Sequence, residues 1–267
     1  MTRRRLSVIF VHQRRWKDCV ILRRIRLRSF LLFFCVGFSA AGALAESMES
    51  TLDRLEGNCA SFGKPLPTEF RSVGTVLEMD SDWKPGTVTR VEKRITLHDS
   101  SRKETIVKAV RTGKDGKEKD ITEQIIRNSE KEQKDKSRKS HSMGLDNREL
   151  FVFMKEMRGQ YDFSWMSDSL LDGKPVKRLS AVPKTRDVKR FFVTYAVHPD
   201  SMTVLSVDMT PSKNPKMVKQ MTMRMRFFLD SRGHYFMKRF WMRVTINLLI
   251  KKIRSDISEE YSDFQYQ

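Results

Sequence analysis

Three methionines at alternate positions, Met221, Met223 and Met225, are the first residues whose type and spacing point to a chemistry. Thioethers are soft ligands and suit Cu(I). Alternating methionines are equally what the apolar face of a strand looks like, and no nearby histidine or cysteine strengthens a metal site. His98, His141, His198 and His234 stand neither in a metal-binding pair nor beside a nucleophile elbow, and His198-Pro199 marks a turn. The sequence contains no G-x-S-x-G, H-E-x-x-H, phosphate-binding glycine loop or CxxC. The chain reads as a non-enzyme that needs neither cofactor nor metal.

The elements around those methionines are more informative. Met221, Met223, Met225 and Phe227 alternate with Thr222, Arg224 and Arg226; beyond the turn Asp230-Ser231-Arg232-Gly233, the residues Met242, Val244, Ile246, Leu248 and Ile250 alternate with Arg243, Thr245, Asn247 and Lys251. A strand has a side-chain period of two, so each segment has one apolar and one charged face. No proline follows Pro215 to interrupt ladder pairing. A strand of about 12 residues rises roughly 40 Å, long for an ordinary sheet. Such one-sided strands suit a sheet that curls around something apolar.

The beginning of the chain predicts export. Residues 1–29 hold ten Lys and Arg against one acid, Asp18, and Phe30 to Ala45 is a charge-free apolar run closing on Ala43-Leu44-Ala45. A basic region, a short apolar region and a small-x-small exit make a secretory signal, with cleavage expected after Ala45. The 16 apolar residues fall short of the ~20 that a spanning helix needs, which weighs against an uncleaved anchor. The apolar run directly behind the basic start also weighs against a nucleic-acid-binding tail. Arg23-Arg24 is a weak twin-arginine signal, and Phe34 before Cys35 disfavours lipid modification there.

Without this leader the charge balance changes. The full chain has 52 basic and 33 acidic residues, net +19; residues 46–267 keep 42 and 32, about +10. That excess favours anionic membrane surfaces or acidic partners. It is not accompanied by zinc-finger spacing, RNP-like aromatics or helix-turn-helix punctuation, and nucleic acid is not an expected partner. Cys19 and Cys35 fall in the leader, leaving Cys59 alone. The fold must therefore be held by its core, with Cys59 a quiet, partly buried thiol.

Residues 46–267 read as one domain. A short amphipathic helix is predicted over 47–57, with Met48, Leu52 and Leu55 on one face. Strands are predicted over 69–79, 87–98 and 104–111, separated by Asp, Ser and Gly punctuation. Residues 114–139 then carry 16 charged side chains, nine basic and seven acidic. Ile121, Ile125 and Ile126 can pin a helix from about 121 to 135 inside a charged lid or insertion spanning about 112–145, either a solvated surface segment or a mobile cover. Phe151 and Phe153 lead to the alternating Tyr161, Phe163 and Trp165; Asp172-Gly173 turns the chain into 175–182, and strands follow at 191–197 and 202–209 before the two long ones. A last strand passes through Tyr261-Ser262-Asp263-Phe264. The sum is nine to eleven antiparallel strands. Trp165 and Trp241 lie inside strands and can line a hollow, whereas Trp83 sits by a turn.

The order of these elements resembles the LolA-like group of exported proteins, which includes outer-membrane lipoprotein-sorting proteins and the LppX and RseB relatives. The resemblance lies in Tyr161-Asp162-Phe163, Asp172-Gly173-Lys174, the strand into Pro183, Arg190-Phe191-Phe192-Val193, the strand 202–209, Lys219–Phe228, the basic strand 238–250 and Tyr261-Ser262-Asp263-Phe264. The group has no sharp catalytic signature, and the charged insertion is longer here than the group leads one to expect. The resemblance implies a mainly β fold: a curved antiparallel incomplete β-barrel, or half-barrel, with short helices covering its concave face. It also implies an apolar hollow for acyl chains of a lipid or lipoprotein.

The residues support the same expectation independently. A face of Met and Phe suits a flexible chain, since methionine is unbranched and adaptable. Burying CH₂ groups at about 0.8 kcal/mol each gives roughly 10 kcal/mol for one acyl chain before association costs. The expected lining is Phe163, Trp165, Phe191, Tyr195, Met221, Met223, Met225, Phe227, Met242, Val244 and Ile246. The same residues packed against helices as a closed core are the plain alternative. The expected role is a periplasmic carrier moving lipid or lipoprotein acyl chains toward the outer membrane, with membrane donor and acceptor proteins and transient membrane contact. A periplasmic scaffold or sensor that binds a partner protein is the second reading. Arg224, Arg226, Arg239 and Arg243 would then either meet headgroups and acidic partners or form a solvated strand face.

Overall fold

The first described element is set by a cap. Ser47 Oγ accepts a hydrogen bond from Ser50 N at 3.1 Å, and α1 follows over Met48–Cys59. Its Leu52, Leu55 and Cys59, spaced three and four apart, form the buried stripe. The computed structural model describes residues 46–80, 82–98, 101–136, 150–247 and 252–266. The expected export signal and its cleavage point, residues 137–149 of the charged segment, and Leu248 and Ile250 lie outside them.

Twelve strands follow. They are β1 (Glu69–Met79), β2 (Pro85–His98), β3 (Ser101–Thr112), β4 (Glu118–Asp120), β5 (Tyr161–Trp165), β6 (Ser169–Leu171), β7 (Lys174–Pro183), β8 (Phe191–Val197), β9 (Val204–Pro211), β10 (Val218–Leu229), β11 (Tyr235–Asn247) and β12 (Lys252–Gln265). Two further helices among the described residues, α2 (Thr122–Lys136) and the one-turn α3 (Lys155–Arg158), stand between β4 and β5. β4 and β6, three residues each, exceed the expected count of nine to eleven because neither segment is long enough to show a period. The expected strand over 202–209 starts later, at Val204, since Met202 adopts φ 53° in the turn after His198.

Among the described residues the named strands all pair antiparallel, in the order β4-β3-β2-β1-β12-β11-β10-β9-β8-β7-β5, with β6 paired to the other end of β7 and one isolated parallel bridge between Phe62 and Tyr235. Two meanders, β1–β4 and β5–β12, are joined where β1 pairs with β12. Among the described residues the path ends at β4 and β5 without their pairing, so the sheet stays open. It is a curved, incomplete β-barrel. Register shifts in β1, β2, β8 and β10 mark bulges, which bend a strand and raise its twist.

Local chemistry explains the turns. Asp230 Oδ1 accepts from Arg232 N and His234 N at 2.9 and 2.8 Å, and Gly233 supplies φ 84°, which closes the β10–β11 hairpin. Asp172 and Gly173 take φ 52° and 79°, the paired positive values of a tight hairpin turn between β6 and β7.

The core lies on one face of β7–β10, under α1 and residues 150–154. Leu150, Phe151, Val152 and Phe153 are all buried. They do not extend β5 but plug the face. Tyr195 latches this plug: its hydroxyl donates to Leu150 O at 3.0 Å and accepts from Val152 N at 2.9 Å. Arg158 ties the plug to α1, reaching Glu49, Asp53 and Glu56 while Nε donates to Phe153 O at 2.9 Å. Cys59 is 2% exposed, more deeply buried than the sequence led one to expect. Burial pushes its thiol pKa up to about 12. No helix of the described residues is long and apolar enough to cross a membrane.

Candidate functional site

Opposed residues on neighbouring strands point to the same face, so the register shows which side chains share a surface. One row runs Phe163–Ala181–Val193–Met209–Met223 across β5 and β7–β10, then continues Met242–Ile257–Val76 across β11, β12 and β1. The adjacent row runs Trp165–Leu179–Tyr195–Val207–Met225, then Phe240–Glu259–Gly74–Val91–Ala109. Met221 pairs with Val244 on the same side. The alternation that marked Met221, Met223, Met225, Met242, Val244 and Ile246 in sequence thus becomes one shared, mainly apolar face, interrupted on β12 by Ser255 and Glu259.

The face is not uniformly covered. From β7 to β10 the rows are buried: Leu179, Tyr195, Val207, Met209, Met223 and Met225 all lie under α1 and the 150–154 plug. Phe227 is buried beside Phe62, Phe151 and Tyr235, with ring centroids 5.2 to 5.8 Å apart. From β11 onward burial is patchy, with Val244 of β11 and Ser255 of β12 still buried. Phe240, Met242, Ile257, Gly74, Val76 and Val91 are half-buried, as are Met221 and Ile246. Burial returns at Ala109 and Ile95 of the first meander, near the point where Ile121 and α2 meet β3. An apolar strip over β11, β12, β1 and β2 therefore lies between two covered zones.

The residues singled out in sequence divide accordingly. Tyr195, Met223, Met225 and Phe227 belong to the packed core. Phe163 and Phe191 pack at its margin. Trp165 ends its row on the edge strand, 39% exposed, with Lys177 Nζ 5.9 Å from its ring. Met221, Met242, Val244 and Ile246 lead into the strip. Trp241 stands on the other face, opposite Arg224, with the Arg243 guanidinium 5.4 Å from its ring. It cannot line the same hollow as Trp165. Trp83, at φ 63° in the β1–β2 turn, lies between Arg243 at 5.0 Å and Arg254 at 5.2 Å.

One end of the strip is polar. Ser72 is buried and donates to Glu259, and Lys93 pairs with Glu104 at 3.0 Å. Burial, reinforced by Glu259, raises the pKa of the Tyr261 hydroxyl and holds it neutral. Such a cluster can orient a polar headgroup at the end of an apolar floor. Sequence reasoning missed it because Ser72, Lys93, Glu104 and Glu259 come from four strands whose register is not readable locally. It also missed the plug, although the run Phe151-Val152-Phe153 was a signal for a buried segment.

No protein-family model matches the chain, and no curated protein matches it in sequence. Solved structures do match at low identity. A putative outer membrane lipoprotein-sorting protein domain from Vibrio parahaemolyticus is 10% identical, with 81% of this chain and 92% of that chain covered and a TM-score of 0.36. A DUF1329 family protein from Desulfovibrio piger is 12% identical, with 82% and 92% covered and a TM-score of 0.35. A LolA superfamily protein from Nitrosomonas europaea is 12% identical, with 82% and 93% covered and a TM-score of 0.32. At these scores the likeness is one of outline, and the open antiparallel sheet stands on its own strand pairing.

Proposed function

We propose that this protein is an exported carrier that seats acyl chains of a lipid or lipoprotein on the apolar strip of β11, β12, β1 and β2. The observation that carries this reading is the continuity of the apolar rows beyond the edge of their cover. A globular core that served only folding would have no reason to extend Met242, Ile257 and Val76 past Met223 under partial cover. Backbone groups along the strip are paired within the sheet, so an acyl chain can lie there without stranding donors. Methionine and small residues such as Gly74 leave a surface that adapts to chain length. The protein works in the periplasm, delivers toward the outer membrane, and contacts membrane donor and acceptor proteins transiently.

The reading changes in one respect from the sequence expectation. Tyr195, Met209 and Met225 are fully buried beneath α1, which supports seating the acyl chain on the strip and not there. This filled half favours the second reading, a scaffold or sensor whose apolar strip is covered by a partner protein. Native mass spectrometry of the protein produced from its full chain and purified without detergent separates the two. Stoichiometric phospholipid or lipidated peptide supports the carrier. An unliganded mass that stays unchanged after incubation with vesicles and lipoproteins overturns it in favour of the scaffold.

A further inference from the structure

We infer that the opposite, convex face carries a binding pocket for a phosphate-class anion beneath the β6–β7 hairpin. A cavity of about 290 Å³ opens there, and Arg178, Thr194, Ser206, Asp208, Arg224 and Arg226 line it. Register builds it from two rows on the charged face. Arg178, Ala196, Ser206 and Arg226 stand side by side across β7, β8, β9 and β10, with Thr194, Asp208 and Arg224 in the next row. The two small side chains between the arginines make the depression. Two long guanidinium arms flank it.

The roof comes from the β6–β7 hairpin, which is anchored by the buried Val176. Ser169–Leu171 pairs only with Lys174–Val176, Leu170 is exposed, and the hairpin reaches back so that Asp172 lies 3.9 Å from Arg226. Charge inside the pocket is unbalanced. Arg224 is taken by Asp208, with Nε donating at 2.5 Å. Arg178 has no carboxylate partner among the described residues. Arg226 keeps one distant carboxylate, and its Nη1 is buried with no hydrogen-bond acceptor among the described residues. A buried guanidinium N–H without an acceptor is costly, and a tetrahedral oxyanion is the ligand whose geometry satisfies two such forks at once. The Thr194 and Ser206 hydroxyls can donate to its remaining oxygens. This site is separate from the apolar strip, which lies across the sheet, and it stands or falls apart from the carrier reading.

The test uses the protein from its full chain with two probes: inorganic phosphate, and phosphatidylcholine vesicles with or without phosphatidylglycerol. Binding is followed by calorimetry at fixed ionic strength, with chloride as the control anion. Saturable phosphate binding that weakens at least tenfold in R178M/R226M, and less than twofold in R239A on the same face outside the pocket, supports a site for free phosphate. Binding only to phosphatidylglycerol vesicles, with the same arginine dependence, supports a site for a lipid phosphodiester. In the unaltered protein, ¹⁵N signals of the Arg178 and Arg226 Nε–H groups should shift on adding the effective probe, so the proposal does not depend on the variant's folding. No saturable binding of either probe, or binding that R178M/R226M leaves intact, overturns it.

Discussion

Met223 and Met242 face each other across β10 and β11, yet Met223 is 6% exposed and Met242 is half-buried. Met223 belongs to the buried core cluster, whereas Met242 packs against its margin. Two methionines on the same face of neighbouring strands thus differ in burial, and under the proposed carrier function Met242 is the one available to a ligand.

Truncation should separate the two. Met223→Ala removes a packed core side chain and should cost about 2–3 kcal/mol in urea denaturation, whereas Met242→Ala should cost under about 1 kcal/mol. Equal losses would mean that the cover reaches further than the burial pattern indicates.

Charge placed on the strip should abolish loading without unfolding the protein. Met242→Lys and Ile257→Lys put an ammonium where the proposed acyl chain would lie, and bound lipid should fall at least tenfold while the thermal midpoint stays within about 4 °C. Undiminished lipid in both variants would place the ligand elsewhere.

Arg158 bridges three carboxylates of α1 to the backbone of Phe153. Arg158→Met keeps the aliphatic stem but leaves those acceptors without their shared donor, so stability should drop by about 2 kcal/mol. Hydrogen exchange should quicken first in α1, and unchanged α1 protection would show that helix docking rests on Leu52 and Leu55 alone.

Alkaline pH should weaken the fold. Burial raises the Cys59 pKa to about 12, and it raises those of the Tyr195 and Tyr235 hydroxyls as well. A raised folded-state pKa contributes stability that is complete below the unfolded value, here 9.0 for the thiol, and is lost as pH climbs toward the folded value. The unfolding free energy should therefore fall from pH 9 upward, with Cys59 contributing a slope of up to about 1.4 kcal/mol per pH unit. Cys59→Ala should flatten the curve, and an identical slope in that variant would refute the assignment.

The outer-face arginines should behave unequally. Arg243 lies near both Trp83 and Trp241 and donates to both oxygens of Asp256 at 2.7 and 2.6 Å. Arg239 pairs with Glu260 on the surface, both partners more than half exposed. Arg243→Ala should cost about 1 kcal/mol and Arg239→Ala under about 0.5 kcal/mol, since exposed pairs contribute little. The reverse order would contradict the ring contacts.

That inequality shows where sequence reading reaches its end. The period of two in Met221–Phe227 and Met242–Ile246 disclosed the strands, their faces and the mainly β class, because alternation is a local property of the chain. The helices over 48–59 and 122–136 were legible from their apolar spacing. What covers what was not legible. Leu52 and Leu55 say that α1 buries a stripe, but not that it packs in one cluster with β7–β10 and with Tyr235 at the start of β11. The partners of Arg158 lie about a hundred residues away, and the four outer arginines look alike until register assigns Asp208 to one, Asp256 to another and the hairpin roof to a third.

The central claim is that acyl chains occupy the strip and not the space under α1. Methionine methyl NMR on deuterated protein labelled at the ¹³C-methyl groups, with and without a bound protonated phospholipid, tests it directly. The account predicts contacts between acyl protons and the methyl groups of Met221 and Met242, with Met209 and Met225 unmoved. Contacts at Met209 and Met225, or none at any of the four, would contradict it.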